Sequence, residues 1–399
     1  MPFKIHQSKK IEEVLTRRVE KILPNKDGLK SLMQKRKIRL YLGIDPTGSQ
    51  LHLGHSITLR KLQEFADLGY DAILLIGTGT VLAGDPSDKD KARPPITKEK
   101  IEENIKTWKK QAGKILDFSK VTIMYNGDWL LNLGLKDIIE IASHVSAIKL
   151  FQRDMFRRRL EQGDTVWMHE TLYPLLQGYD SVAMNVDLEI GGTDQTFNML
   201  IGRELMEKMK HKEKFILTCP MILGIDGKQM SKTSGNCVWL TDVPKEMFGK
   251  IMSIPDNLII SYFELLTDFP ISSIQKYKKN LLEKKINPRD LKEKLALEIV
   301  KIYYSETIAQ EAAKEFQRIF KEKKMPLEIP ELKIKEKTLN ILELLTKAKL
   351  VSSKSEAKRL ILQKAVKIDG QLKEDWREVL KTKKGIVIQV GKRRFAKIG

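Results

Sequence analysis

The sequence predicts an α/β protein: a parallel sheet covered by helices, then a helical segment, then a small α+β tail. Three observations carry this. Over residues 1–240, short apolar runs alternate with helical patterns, the rhythm of βαβ units. From 241 to 330 no strand pattern appears and lysine-rich helices dominate. Across 331–399 the composition shifts again, with two helices followed by short strands. Pro326 and Pro330 mark the joint between the last two parts.

Each element has its own signal. Ile38, Leu40, Leu42 and Ile44 alternate with Arg39, Tyr41 and Gly43, a strand with one core-facing side. Leu59, Leu62, Phe65 and Ala66 then recur at helical spacing and Gly69 ends the helix. Ala72–Gly77 is wholly apolar, as a central parallel strand is. A helix is expected over Thr97–Leu116, a strand at Val121–Tyr125, and helices over Leu135–Ser143 and Val166–Tyr179. A strand near Val186–Ile190 and a helix from Gln195 repeat the unit. Further on, Pro288–Tyr304 reads as a helix, and Ala365–Ile368 and Gly385–Val390 as strands.

Composition narrows the function. No run of about 18 apolar residues is present, so no membrane span is expected. The start, MPFKIHQSKK, lacks an apolar secretory core. Cys219 and Cys237 stand outside any CxxC pair, which argues against a disulfide framework or a cysteine zinc site and for a cytoplasmic protein. The formal charge is +20, and residues 331–399 hold more than half of that excess, with 19 Lys or Arg against 8 Asp or Glu. So uneven a charge points to a polyanion such as RNA or DNA.

Two stretches carry chemistry. In LGIDPTGSQLHLGH, Leu42–His55, a strand ends at a Pro/Thr/Gly/Ser loop and a helix begins beside His52 and His55. Three residues apart, these lie on one face of the first turn, where helix N-termini attract anions. Gly54 between them leaves room for a ligand near the backbone. An ordinary cap or surface pair is the competing reading. A metal site lacks an obvious third ligand, so no metal is expected. Asp85 follows Gly84 where a Walker loop needs Lys. The second stretch, GKQMSKTSGN (Gly227–Asn236), is a flexible cationic loop suited to a polyphosphate.

Together these resemble class I aminoacyl-tRNA synthetases, whose hallmarks are a HIGH motif and a KMSKS loop. His52-Leu53-Gly54-His55 matches the first, and Gln229-Met230-Ser231-Lys232-Thr233 the second. Gln229 replaces the first lysine of the pattern, with Lys228 one place earlier. The resemblance implies a Rossmann-like catalytic domain in 1–240, a helical anticodon-side domain in 241–330 and an RNA-binding domain in 331–399. It implies that His52, His55, Lys232 and Thr233 are catalytic, and that Lys228, Met230 and Ser231 face ATP.

The choice of amino acid rests on other residues. Tyr41 lies on the strand face opposite Ile38, Leu40, Leu42 and Ile44, beside Gly43. Tyr173, Gln177 and Asp180 stand at i, i+4 and i+7, one polar stripe flanked by Leu172, Leu175 and Leu176. Polar groups among apolar ones need partners, although a solvent-facing stripe fits the same spacing, and Pro174 either kinks this helix or marks its first turn. These positions are similar to the tyrosyl-tRNA synthetase pattern. By that resemblance Tyr41 and Asp180 hold the substrate phenol, Asp85, Tyr173 and Gln177 its ammonium, and Gln195 the carboxylate side. Gly43, Asp45, Thr47, Gly54, Lys89, Arg93, Gly192 and Asp194 would surround ATP.

The tail stretch SKSEAKRLILQKAVKIDG, Ser353–Gly370, resembles a small RNA-binding domain of bacterial tyrosyl-tRNA synthetases. Its helix groups Lys354, Lys358 and Arg359, suited to RNA phosphates. Lys364-Ala365 stands where the family has Gly-Gly. The implied function is ligation of L-tyrosine to tRNA(Tyr) through tyrosyl-adenylate, with ATP and Mg2+, in a homodimer. The alternatives are a class I enzyme for tryptophan and a non-catalytic RNA-binding relative.

Overall fold

The computed structural model describes residues 2–87, 97–151, 153–232, 234–320, 329–332, 334, 336, 338–391 and 394–399. It forms two compact units, Met1–Ser305 and Glu306–Gly399.

The first unit is built on a six-stranded sheet among the described residues. Its strands are β1 (Lys21–Leu23), β2 (Arg39–Ile44), β3 (Asp71–Ile76), β4 (Val121–Tyr125), β5 (Leu188–Gly192) and β6 (Phe215–Cys219), in the spatial order β1-β6-β5-β2-β3-β4. From β6 to β4 all pairings are parallel. β1 is antiparallel to β6, with Lys21 opposite Thr218. The sequence reading expected a parallel sheet and found neither β1 nor β6. Three residues are too few to show a period, and β6 is buried at all five positions, so it shows no alternation.

Chain order fixes where a ligand can sit. After β2 the chain moves outward to β3 and β4, then returns to β2's other side as β5. This reversal opens a crevice at the carboxyl ends of β2 and β5. Two helices start there: α1 (Leu53–Asp67) after β2, and α4 (Thr196–Lys210) after β5. Between them in sequence come α2 (Lys98–Ala112), capped by the Thr97 side chain, and α3 (Met168–Met184). α3 outruns the expected Val166–Tyr179 by five residues, because Asn185 supplies the left-handed C-cap at φ 50°. Pro174 lies inside it. α3 and α4 pack together at Gly178 and Gly202. A Cβ on Gly178 would stand 3.1 Å from the Gly202 nitrogen, so these backbones meet almost directly.

The last part of the first unit, from Pro244, is mostly helical. Pro288–Tyr303 packs on Pro244–Met252 and Ile259–Leu266, burying Leu295, Ile299, Phe248 and Phe263.

The second unit has a five-stranded sheet ordered Gln371–Leu372, Val366–Ile368, Val387–Val390, Arg394–Ile398 and Glu331–Leu332, besides a two-stranded pair. Helices Ile341–Lys347 and Lys354–Leu362 share its core, with Leu345, Ala357, Ile361, Val366 and Ile388 fully or almost fully buried. Lys364 adopts the left-handed conformation at φ 57°, which explains how the turn forms there without the family's glycines.

Candidate active site

A cavity of about 290 Å³ opens at the carboxyl ends of β2 and β5, and both histidines line it. His52 is the N-cap of α1: its Nδ1 accepts from the Gly54 N–H at 3.1 Å. His55 Nδ1 accepts from the His52 N–H at 3.2 Å. With both Nδ1 atoms accepting, each neutral ring carries its hydrogen on Nε2. Burial, with the Lys232 ammonium adding to it, pushes His52 down to about 3. His55 lies well below the usual histidine range for the same first cause, helped by His52 and Lys232. Two neutral donors thus stand at a helix N-terminus, where a phosphate oxygen gains most. The ordinary-cap reading is half right, since these residues cap the helix and line the cavity too. Gly54 serves the ring itself, since a Cβ there would stand 2.9 Å from the His52 imidazole.

Lys232 approaches from the cationic loop. Its Nζ lies 5.6 Å from the Trp108 ring centroid on α2, and a Cβ on Gly48 would stand 3.2 Å from it. Asn236 organises that loop. Its Oδ1 accepts from Ser231 N at 3.0 Å and Ser234 Oγ at 2.7 Å. Its Nδ2 donates to Asp226 Oδ1 at 2.8 Å and the Gln229 carbonyl at 3.0 Å. Met230 is buried and lines the cavity. Ser231 is half-buried and Lys228 exposed. Thr233, Lys89 and Arg93 lie outside the described residues.

At the other end, Tyr41 is fully buried on β2 and its hydroxyl meets Ser181 Oγ at 3.0 Å. Asp180 accepts from Asn126 Nδ2 at 3.0 Å and Trp129 Nε1 at 2.9 Å. Burial raises its carboxyl well above the carboxylate range, against the pull of those two donors. Gln177 Nε2 donates to Glu189 Oε1 at 3.0 Å. Its own Oε1 is buried without a partner among the described residues, an acceptor suited to an ammonium. The Tyr173 hydroxyl donates to Asp45 Oδ2. Gln195 Nε2 donates to Asp85 Oδ2 and Asp194 Oδ2, each at 3.0 Å.

Gly43, Asp45, Thr47, Gly192 and Asp194 complete the lining. Asp45 Oδ1 accepts from Thr80 Oγ1 at 2.7 Å. A Cβ on Gly192 would lie 2.3 Å from Asp194 Oδ1. All the expected tyrosine contacts thus border one cavity with the histidines. Lys354, Lys358 and Arg359 stand in the second unit, exposed; Lys354 pairs with Glu343 at 2.7 Å and Lys358 lies 4.1 Å over the Trp376 ring.

Sequence reasoning missed Asn126, Trp129, Ser181, Glu189 and Lys214. Asn126 and Trp129 follow β4 in the turn NGDW, at the strand end where ligands gather, and that rule would have found them. Lys214, just before β6, has no such signal.

Residues 33–321 match the family described as tRNA synthetases class I (W and Y). Residues 320–398 match the tyrosine–tRNA ligase SYY-like C-terminal domain. The chain is 43% identical to the tyrosine–tRNA ligase of Thermotoga maritima, over 97% of this chain and 96% of that one. It is 44% identical to that of Photobacterium profundum, over 97% and 98%. Its fold resembles a truncated mitochondrial tyrosyl-tRNA synthetase of Aspergillus nidulans, with TM-score 0.66 and 19% identity over 80% of this chain and 99% of that one. The chain therefore belongs to the class I aminoacyl-tRNA synthetases, in the group of the tryptophan and tyrosine enzymes and on its tyrosine branch.

Proposed function

We propose that this chain ligates L-tyrosine to tRNA(Tyr) in two steps at the cavity between β2 and β5. The tyrosine carboxylate attacks the α-phosphorus of ATP, giving tyrosyl-adenylate as pyrophosphate leaves. A terminal ribose hydroxyl of the tRNA then takes the tyrosyl group and AMP departs. No side chain acts as nucleophile. The work is positioning and charge stabilisation.

The observation that carries this reading is the pairing of two ends in one cavity. One end holds Tyr41 and Asp180, a matched hydroxyl and carboxyl at the cavity wall. The other holds His52 and His55, two neutral Nε2–H donors on a helix N-terminus. Between them Gln177 Oε1 is suited to the substrate ammonium, with Tyr173 and Asp85 beside it, while Gln195 and Asp194 suit the carboxylate side and the ribose. Lys232, and Lys228 in place of the missing first lysine, suit the pyrophosphate. Lys89, Arg93 and Thr233 keep the phosphate roles that the resemblance implies.

Among the described residues no group of three His, Cys, Asp or Glu side chains is placed to hold a metal. Mg2+ fits as an ion carried by the ATP phosphates, where it would offset their charge. Lys354, Lys358 and Arg359 suit the tRNA backbone, and we assign chemistry to 1–240, helical support to 241–330 and RNA contact to 331–399. The cytoplasm is where ATP and tRNA meet such an enzyme, and no helix among the described residues is long and apolar enough to cross a membrane. We favour a homodimer, and exposed apolar side chains such as Leu131, Leu135, Ile139, Ile148, Trp167 and Met168 are available for an interface.

Tyrosine-dependent exchange of labelled pyrophosphate into ATP, without tRNA, tests the first step. Exchange with tyrosine and not with phenylalanine or tryptophan is expected. Exchange with tryptophan alone would overturn the pocket assignment.

A further inference from the structure

Beneath the phenol end of the cavity lies a buried cation that the two-step reaction does not use. Lys214 is fully buried. Its Nζ donates to Ser181 Oγ at 2.7 Å, to the Met199 carbonyl at 3.3 Å and to Glu189 Oε2. All three N–H bonds of an ammonium are thereby used.

Space for it is made by backbone. A Cβ on Gly202 would stand 2.5 Å from Lys214 Nζ and 3.1 Å from Ser181 Oγ. The close approach of α3 and α4 at Gly178 and Gly202 thus brackets the pocket that the ammonium fills. Burying a charge is costly unless it is paired and hydrogen-bonded, and Glu189 supplies the pair.

Lys214 has no lone pair to offer, so Ser181 Oγ accepts from it. Ser181 keeps its own hydrogen and a second lone pair, and its Oγ meets Tyr41 Oη across 3.0 Å, where either hydroxyl can donate. With Ser181 donating, the Tyr41 oxygen accepts on that side and its own hydrogen turns the other way. Burial first, and then the Glu189 charge, keeps that hydrogen on the oxygen, and a phenol oxygen entering the cavity is an acceptor for it.

We propose that Lys214 and Ser181 are positioning residues that fix the orientation of the Tyr41 hydroxyl and so raise the preference for a ring bearing a hydroxyl over one lacking it. This rests on the tyrosine reading above and adds to it the residues that set its selectivity. A site built to pair a substrate hydroxyl rejects the analogue lacking it, because its own buried polar groups are then left unpaired. Here the pairing group is held from behind by two residues that lie outside the cavity lining.

The test is pyrophosphate exchange with tyrosine and with phenylalanine, on the full chain and on Ser181→Ala, Lys214→Met and Lys214→Gln. Ser181→Ala is expected to lower the tyrosine to phenylalanine ratio of kcat/KM about tenfold, the effect of one hydrogen bond, with the KM for ATP unchanged. Lys214→Gln, which keeps a donor, should retain more of that ratio than Lys214→Met, although both remove the charge. A Ser181→Ala variant that melts lower but keeps the full ratio would show a merely structural role and overturn the proposal. Absence of tyrosine exchange in the unsubstituted chain would instead overturn the tyrosine reading beneath it.

Discussion

The Tyr173 hydroxyl donates to Asp45 Oδ2 across 3.0 Å, joining the wall suited to the amino-acid ammonium with the loop suited to the nucleotide. Asp45 also accepts from Thr80, so the contact is held from two elements. One bond thus joins the two proposed subsites.

Tyr173→Phe keeps the ring and removes this bond. A net loss of about 1 kcal/mol, roughly fivefold in an equilibrium, is expected. It should appear in the KM values of both tyrosine and ATP in pyrophosphate exchange. A change in the tyrosine KM alone would show that the bond does not join the two subsites.

Gly54→Ala should act through His52. The added methyl would stand 2.9 Å from the imidazole and must displace a ring whose Nδ1 is engaged at the helix start. A loss of about 100-fold in activation rate is expected, comparable to removing one preorganised donor, while tyrosine affinity stays the same. Equilibrium dialysis with tyrosine and single-turnover adenylate formation separate the two.

Asn236→Ala should loosen the cationic loop without touching substrate. It removes the contacts to Ser231, Ser234, Asp226 and Gln229 together. A fall of about 10- to 100-fold in activation rate is expected, the effect of one or two such bonds. Faster amide exchange across 226–236 should accompany it, and unchanged exchange there would remove the loop explanation.

The histidines predict a pH effect on stability. His52 is lowered to about 3 and His55 is lowered well below the usual value, so between about pH 3 and 6.5 the unfolded chain binds more protons than the folded one. Their contribution is fully present above about pH 6.5 and is lost as pH falls toward 3. Urea unfolding at pH 5 and 7 should show a smaller difference in the His52→Asn, His55→Asn double variant than in the unsubstituted chain.

The tail makes a separate prediction. Replacing Lys354, Lys358 and Arg359 with Ala should leave pyrophosphate exchange intact and weaken tRNA binding. The slope of log affinity against log salt should shrink by about 2–3 if all three face phosphates. An unchanged slope would place the tRNA elsewhere.

Where local pattern decides structure, the sequence was readable: the strand Val121–Tyr125 and the helix Leu135–Ser143 have the bounds that their residues predict. β6 escaped because uniform burial erases periodicity, and β1 because it is defined by a partner far along the chain. The same division runs through the site. Tyr41, Gln177 and Asp180 stand out as polar groups on apolar elements. Lys214 does not, since in a chain with 72 Lys and Arg only the fold distinguishes a buried ammonium from a solvated one. The bond that Tyr173 makes to Asp45 was equally invisible, because spacing along a helix says nothing about what lies opposite.

The short β1 has a consequence for the order in which the protein forms. Lys21 pairs with Thr218 and Leu23 with Ile216, so the first strand made must wait for nearly two hundred further residues to be synthesised before it has a neighbour. Closing so long a loop is entropically slow. Once made, β6, apolar at most of its positions, has an open row of amide groups on that side until β1 docks. Three residues made early thus cover an edge that is made late.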